Sequence, residues 1–288
     1  MAQMPLQHRA DSLKMAGDLE GAYRAYRALY DQAGRQAEHA YALAQVTALM
    51  YNPWVADSSF YFLKKALQHN TTVYALMDAE LYFLTLDPRW EKIEAKQLAR
   101  YEAHHGKMPH PEFAKALWAM IRRDQALRYF QRIGEQQMRQ GEAAPAAHFP
   151  LSYFGVQLRE QNLPELEKLI ATYGWPKTSE FPGETANVAA LIINHSDHTT
   201  RKRYLPLMEE ALATGDIDPL RYAQIADRVL LDSGKRQLYG TQQRFRRDGS
   251  LWPEPIKKPE EVDQRRAAIG LGPLAPYLAQ RFGIEWAP

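Results

Sequence analysis

The sequence contains no cysteine. This absence excludes disulfides, thiol catalysis, iron–sulfur clusters and zinc sites built on thiolates. It leaves the compartment open, because a cysteine-free chain suits both the cytosol and the periplasm. The N-terminal stretch MAQMPLQHRADSLKMAGD lacks the apolar core of a secretory signal, and no apolar run approaches the roughly 18–20 residues of a membrane span. We therefore expect a soluble protein in the cytoplasm, or in the periplasm if a leader precedes this sequence.

The sequence also lacks an excess of positive or negative charge. The chain has 36 Lys and Arg residues against 34 Asp and Glu residues, a formal net charge of +2. This balance is too even for a nucleic-acid-binding protein or a polybasic membrane anchor, so we expect neither nucleic acid nor membrane as a partner. Local basic clusters at 201–203 and 244–247 are interpreted as solvated faces, because no RNA-binding pattern of glycine and aromatic residues accompanies them.

The common fingerprints of nucleotide-binding proteins and hydrolases are absent. The sequence has neither G-x-G-x-x-G after a strand nor G-x-x-x-x-G-K-[ST]. It also has neither the G-x-S-x-G elbow of α/β-hydrolases nor the H-E-x-x-H motif of zinc proteases. From these motifs no cofactor is predicted.

Helical periodicity is what the sequence does contain, from its start. The spacing of apolar residues predicts two pairs of helices, at 10–16, 19–30, 38–51 and 55–69. With alanine at close-approach positions and a repeat of about 34 residues, residues 10–95 resemble tetratricopeptide repeats. The segment D-P-R-W at 87–90 is similar to the end of the terminal repeat pair in such proteins. We expect a protein or peptide partner to bind these repeats.

A polar stretch at 104–111 is predicted to be the domain boundary. Beyond it the patterns predict helices at 112–140, 164–173, 184–195, 200–214, 219–231, 259–269 and 273–282, and a hairpin at 237–255 around Asp248-Gly249. The predicted fold is mainly α. It consists of tetratricopeptide-like helical hairpins at 1–103 and, at 112–288, an α-helical domain with one small β-hairpin.

Six short motifs follow one another in the second half. They are D-Q-A-L-R at 124–128, G-W-P at 174–176, N-H-S-D-H at 194–198, D-R-V at 227–229, G-K-R-Q-L-Y-G-T-Q at 234–242 and V-D-Q-R-R-A-A-I-G-L-G-P-L at 262–274. Together they resemble a bacterial family, domain of unknown function 6624, over residues 112–288. Family members tend to read H-A-D-H-D-P where this chain has H-S-D-H-T-T, so Thr199 stands in place of a potential metal or proton ligand. G-K-P-Q likewise becomes G-K-R-Q. The resemblance marks these positions and implies no reaction.

The motif at 194–198 is the strongest candidate site. It brings two histidines and a carboxylate to the end of the most apolar segment, V-A-A-L-I-I at 188–193. Such groups are costly beside a dry core unless they are paired. His195 is predicted to end the buried helix, and Asp197 or Thr199 to cap the next one, so that the motif forms a corner between two helices.

Asp227 strengthens this site. It falls inside the apolar arc of its own helix, where a carboxylate must find a partner. His195, His198 or Arg128 would serve as that partner. Arg228 lies on the polar side of the same helix and is expected to be a surface or anion-binding group.

Three further side chains are expected to line a pocket beside the corner. Tyr239 and Gln242 offer hydrogen-bond donors and acceptors at the start of the hairpin. Trp175, held by the proline that follows it, is expected either to wall that pocket or to belong to the core.

The favoured hypothesis is a hydrolase-like acid/base enzyme that acts on a small polar molecule or a peptide. The predicted catalytic residues are His195, Asp197, His198 and Asp227, and the predicted substrate-binding residues are Asp124, Gln125, Arg128, Trp175, Arg228, Tyr239 and Gln242. One histidine would be the general acid/base, oriented by one of the two aspartates, and Arg128 would neutralise an anionic substrate group.

Two alternatives stay open at this point. One is a non-catalytic scaffold, in which the repeats bind a protein or peptide and the C-terminal polar residues only hold the fold together. The other is a metalloprotein that binds a divalent metal through His195, His198 and Asp227, although the spacing of these residues is not diagnostic.

Overall fold

The computed structural model of the chain describes residues 5–141, 143, 146–247 and 249–287. It divides into two compact units, one ending at Pro164 and the other beginning at Glu165. The described residues are mainly helical and include a two-stranded antiparallel sheet. This confirms the predicted mainly α fold with one small hairpin. No helix within the described ranges has the length and hydropathy that crossing a bilayer requires.

The first unit begins with four helices that match the four predicted ones. They are α1 (Leu6–Ala16), α2 (Leu19–Gln32), α3 (Ala37–Leu49) and α4 (Pro53–Ala66), and each packs on the next. Asp18 caps α2 by accepting the N–H of Gly21 at 2.8 Å, and Asn52 caps α4 by accepting the N–H of Trp54 at 3.0 Å. The assignment of these helices to tetratricopeptide-like repeats stays a prediction.

The rest of the first unit packs around large buried side chains such as Phe113 and Trp118. Its elements are α5 (Tyr74–Met77), a 3-10 helix (Ala79–Leu86), α6 (Arg89–His105), α7 (Pro111–Gln125), α8 (Arg128–Arg139) and α9 (His148–Arg159), followed by α10 (Asn162–Tyr173), which continues into the second unit. The polar stretch at 104–111 lies between α6 and α7. The domain boundary expected there stays a prediction about the sequence.

The prediction of one long helix at 112–140 is wrong, because the structure has two helices there. Ala126 and Leu127, between α7 and α8, are 2% and 7% exposed and pack with Tyr82 in one apolar cluster. Neither proline nor glycine marks this break. Tertiary packing of the two linking residues sets it, and helical periodicity cannot reveal such a turn.

The second unit is built on a buried helix, as the sequence predicts. Its elements are α11 (Asn187–His195), α12 (His198–Thr214), α13 (Pro219–Asp232), β1 (Gln243–Phe245), β2 (Leu251–Pro253), a 3-10 helix (Pro259–Glu261), α14 (Val262–Ala268) and α15 (Leu274–Phe282). Most residues of α11 are buried, and it packs on α12 and α13. In the hairpin, Arg244 pairs with Trp252. Asp248, at the predicted turn, lies outside the described residues.

Candidate functional site

The motif at 194–198 forms a corner between α11 and α12, as predicted. α11 ends at His195, which is exposed, and α12 begins at His198. Asp197 caps α12, since its Oδ1 accepts the backbone N–H of Thr200 at 2.7 Å. Hydrogen bonds from the backbone and the side chain of Thr200 lower the pKa of Asp197 from its ordinary value. The carboxylate predicted as catalytic is thus committed to starting a helix.

Two arginine side chains bind the backbone of this corner. Nη1 of Arg228 donates to the carbonyl oxygen of Asn194 at 2.9 Å and to its side-chain oxygen at 3.3 Å. Nη1 of Arg201 donates to the same carbonyl at 3.4 Å and also to the carbonyl of Ser196. Burial, followed by the charge of Arg201, lowers the pKa of Arg228. The corner therefore holds two like charges around one peptide oxygen.

Asp232, at the end of α13, links Arg201 to a histidine. Its Oδ2 lies 2.6 Å from Nη2 of Arg201 and 3.6 Å from Nδ1 of His198. The side chains of His198 and Asp232 are 37% and 36% exposed, so both side chains contact solvent. The acidic neighbour of His198 is Asp232, where the sequence predicted Asp197 or Asp227. The corner cluster is defined here as Asn194, His198, Arg201, Arg228 and Asp232.

Sequence reasoning missed Arg201 and Asp232. The interpretation of 201–203 as a solvated face is wrong for Arg201, which is 9% exposed, whereas Arg203 is exposed and pairs with Glu167. The cluster at 244–247 is exposed in its described residues, as predicted. One signal could have found Asp232. It follows Arg228 by four residues on α13, and this spacing places two side chains on one face of a helix.

Asp227 is fully buried and binds a loop. Its Oδ1 accepts the backbone N–H groups of Leu238 at 2.7 Å and Tyr239 at 2.9 Å. Its Oδ2 accepts the N–H and the hydroxyl of Thr241, both at 2.9 Å. Burial raises the pKa of Asp227, and these hydrogen bonds oppose the rise. The expectation of a histidine or Arg128 as the partner is therefore corrected, because backbone donors of the loop take that place.

The loop that Asp227 binds, residues 237–242, is held by further polar side chains and is called here the anchored loop. Nε2 of Gln237, a fully buried residue, donates to the carbonyls of Gln242 at 3.0 Å and Glu254 at 2.7 Å. Nε2 of Gln242 donates to the carbonyl of Gln224 at 3.2 Å. Gly240 has φ +74°, and a Cβ there would lie 2.6 Å from the side chain of Leu274. The loop geometry thus depends on a glycine.

Tyr239 lies in this loop beside a second tyrosine. The rings of Tyr239 and Tyr222 have centroids 6.2 Å apart, and the hydroxyl of Tyr222 donates to Glu209 at 3.1 Å. Burial raises the pKa of both phenols. The carbonyl of Tyr239 accepts a hydrogen bond from Arg266 at 2.7 Å. Its backbone is therefore part of the scaffold, and its phenol belongs to a tyrosine–glutamate chain.

The other predicted substrate-binding residues lie elsewhere. Asp124, Gln125 and Arg128 belong to the first unit, where Gln125 donates to Asp124 at 2.5 Å and Arg128 pairs with Glu135 at 2.8 Å. Trp175, in the second unit, is buried with 7% of its surface exposed. The predicted substrate-binding residues are therefore not gathered in one pocket: Arg228 belongs to the corner cluster, Tyr239 and Gln242 belong to the anchored loop, and Trp175 belongs to neither.

His195, His198 and Asp227 are the ligands that the metalloprotein alternative requires. All four hydrogen bonds to Asp227 come from the anchored loop, whereas His198 lies beside Asp232. Across the described ranges, no group of three or more histidine, aspartate or glutamate side chains is arranged to hold a metal ion. The structure therefore does not group these three residues as one ligand set.

Residues 111–283 match the model of DUF6624, a family of unknown function. The match covers more than half of the chain and runs from α7 to the end of α15, so the chain belongs to this family. The resemblance read from the six motifs is confirmed. No curated protein and no solved structure matches the chain.

Proposed function

We propose that this chain is an acid/base enzyme of the hydrolase type, and that its substrate is a small polar molecule or peptide with an anionic group. The reaction would take place at the corner cluster. One observation carries the proposal: a histidine–aspartate pair meets Arg201 and Arg228 at a single helix corner. Acid/base groups and anion-binding groups side by side are what hydrolysis of a charged substrate requires.

The charges of the corner cluster favour an anionic substrate. Arg201 and Arg228 contribute two positive charges, and Asp232 contributes one negative charge. Within the described residues, the hydrogen bonds of Arg228 use Nη1, so Nε and Nη2 remain to bind a ligand. A guanidinium group matches the geometry of a carboxylate or phosphate with two parallel hydrogen bonds. These features support the substrate class.

His198 would be the acid/base group. The carboxylate of Asp232 lies 3.6 Å from Nδ1, so Nε2 would be the atom that exchanges the proton with the substrate. In hydrolysis, Nε2 would take a proton from a water molecule as the water oxygen attacks the electrophilic carbon or phosphorus. It would then return this proton to the leaving group as the bond to that group breaks, so the enzyme ends in its starting state.

Asp227 and Gln242 would act as positioning residues in this scheme. Both hold the anchored loop through hydrogen bonds to or from the backbone, and Asp227 lies one residue before Arg228 on α13. The packing of Asp227 therefore supports the helix turn that presents Arg228 to the corner.

The test is a hydrolysis panel with the full chain. The probes are 4-nitrophenyl acetate, 4-nitrophenyl phosphate and the 4-nitroanilide of an acidic amino acid. We expect turnover of at least one charged probe, a loss of about 100-fold or more in kcat for His198→Gln, and an increase in KM for Arg228→Gln. His69→Gln, at an exposed histidine of the first unit, is the matched control. If His198→Gln matches the wild type on every hydrolysed probe, the proposal is wrong.

A second candidate, a non-catalytic scaffold whose repeats bind a protein or peptide, is favoured by the anchored loop. Both carboxylate oxygens of Asp227 are occupied by protein donors, as expected for a residue that holds a fold together. This observation concerns the loop, whereas the enzyme proposal depends on the corner cluster. The two candidates therefore differ in the role they give to His198.

A further inference from the structure

The first unit contains a small cavity at the start of α8, with a volume of about 180 Å³. Its walls include Ala79 and Glu80 of the first 3-10 helix and Gln125, Arg128, Tyr129 and Arg132 from the end of α7 and from α8. We infer that this cavity binds a small oxyanion, a carboxylate or phosphate group, through the guanidinium of Arg132. The inference is independent of the proposed function, whose acid/base residues lie in the second unit.

The other charged groups of the wall already have partners. Arg128 forms two hydrogen bonds with Glu135, at 2.8 and 3.4 Å. Glu80 forms an ion pair with Lys14 at 2.5 Å. For Arg132, in contrast, the described part of the chain contains no hydrogen-bond partner for Nε, which is buried. Arg132 is therefore the charged group of this wall whose Nε–H has no acceptor among the described residues.

The buried Nε–H of Arg132 is the group to which we expect a ligand to bind. A buried donor without an acceptor is costly. The guanidinium lies 5.7 Å from the ring centroid of Tyr129, whose hydroxyl donates to the carbonyl of Lys14 at 2.7 Å. The aromatic ring is thus fixed and supports the guanidinium. An oxyanion in the cavity would accept the Nε–H.

The electrostatics of Tyr129 are consistent with this arrangement. Burial raises the pKa of Tyr129 to about 12, with a further rise from Glu80 and an opposing effect of Arg132. The positive charge of Arg132 therefore reaches the tyrosine that walls the cavity.

The size of the cavity limits the ligand. Pockets for drug-sized ligands enclose roughly 300–1,000 Å³, so a volume of about 180 Å³ suits an anionic group with few heavy atoms and excludes an enclosed nucleotide. The planar donors of a guanidinium match both carboxylate and phosphate oxygens. The shared chemistry is an oxyanion, and the probes must separate its two sources.

The experiment follows the Nε–H resonance of Arg132 in the ¹⁵N-labelled full chain. The signal is assigned by its disappearance in Arg132→Gln. Sodium acetate and sodium phosphate are added separately at constant ionic strength, with methylammonium chloride as the cationic control. We expect a saturable shift with at least one anion and none with methylammonium. By calorimetry, the affinity for that anion should fall at least about tenfold in Arg132→Gln.

Two matched variants locate the binding. Arg139→Gln removes an exposed arginine from the end of the same helix, and Arg24→Gln removes an exposed arginine of α2. Both should bind the anion like the wild type. A shift with acetate identifies a carboxylate ligand, and a shift with phosphate alone identifies a phosphate ligand. No shift of the Arg132 resonance at saturating anion, or equal affinity in Arg132→Gln, would overturn the inference. If Arg132→Gln does not fold, the wild-type resonance, assigned through Arg132→Lys, decides.

Discussion

Arg201 and Arg228 donate hydrogen bonds to one and the same oxygen, the carbonyl of Asn194, over 3.4 and 2.9 Å. A carbonyl oxygen has two lone pairs, so both bonds form together. The two arginines come from α12 and α13, and the acceptor comes from α11. One peptide group therefore connects three helices of the second unit, and the geometry of the corner cluster depends on both guanidinium groups.

This shared acceptor predicts non-additive mutations. Either Arg201→Gln or Arg228→Gln leaves the Asn194 carbonyl with one donor and removes the repulsion between two like charges. The double variant leaves the carbonyl without either donor and gains no further relief. We expect each single change to cost about 1–2 kcal/mol of unfolding free energy, and the double change to cost about 0.5–2 kcal/mol more than their sum. Urea unfolding of the four proteins gives the coupling.

The control pairs Arg228→Gln with Arg203→Gln. Arg203 lies on α12 close to Arg201 in sequence, but it is exposed and pairs with Glu167. This second cycle should be additive within about 0.5 kcal/mol. Additivity in both cycles would contradict the coupling through Asn194.

The anchored loop predicts that Asp227→Asn is strongly destabilising. An amide in that position can accept from one side only, and its NH₂ group would face backbone N–H groups of the loop. We expect a loss of about 3 kcal/mol or more. Hydrogen exchange followed by mass spectrometry should show faster exchange in a peptide covering 237–242.

Asp263→Asn is the matched control for this change. Its carboxylate is exposed and accepts one backbone N–H, from Leu274 at 2.8 Å. The amide oxygen of asparagine can accept the same bond, so the cost should stay below about 1 kcal/mol. Equal stability of Asp227→Asn and the wild type would mean that the loop does not depend on the carboxylate.

Gly240 offers a test of the close approach between the anchored loop and α15. Alanine there meets both a positive φ and a side chain of Leu274 that a Cβ would contact at 2.6 Å. Backbone strain and overpacking together should cost about 2–4 kcal/mol. Gly272→Ala is the control, because a Cβ at Gly272 meets no atom within 4 Å. The midpoints of thermal unfolding should differ clearly between the two variants, and equal midpoints would contradict the steric argument.

The sequence predicts those parts of the site that depend on interactions between residues close together in the chain. Asp197 and the N–H group it caps are three residues apart, so the signal lies within one helix turn. The burial of Asp227 follows from helical periodicity alone. Its partners do not, since they are backbone N–H groups of a loop that any sequence can supply.

Residues whose burial and contacts depend on tertiary packing cannot be identified from the sequence. Arg201 stands next to Lys202 and Arg203, and a run of basic residues gives no sign that its first member is buried against a helix corner. The break between α7 and α8 at 126–127 likewise depends on a cluster that includes Tyr82, far away in sequence. In both cases the decisive contact is between segments whose approach no periodicity reveals.

The cap of α12 predicts a pH dependence. The pKa of Asp197 is lower in the folded chain than the ordinary value of 3.8. A depressed folded pKa stabilises the fold above the unfolded pKa, and this contribution is lost as the pH falls through the folded pKa. The protection of the Thr200 amide, measured as the ratio of its intrinsic to its observed exchange rate, should therefore decrease below about pH 3.8 in the wild type. In Asp197→Asn, whose amide oxygen caps without titrating, this decrease should be absent, and the same decrease in that variant would show that another group causes it.

His198→Ala and Asp227→Ala together separate the two candidate functions. The His198 side chain is 37% exposed, and its contact with Asp232 spans 3.6 Å, so its removal should cost less than about 1 kcal/mol. Asp227 is fully buried with four hydrogen bonds, so its removal should cost about 3 kcal/mol or more. An enzyme centred on the corner cluster then loses turnover in His198→Ala while its thermal midpoint stays near that of the wild type. A scaffold shows no such loss, and a His198→Ala variant that unfolds near room temperature would place His198 with Asp227 among the residues that hold the fold together.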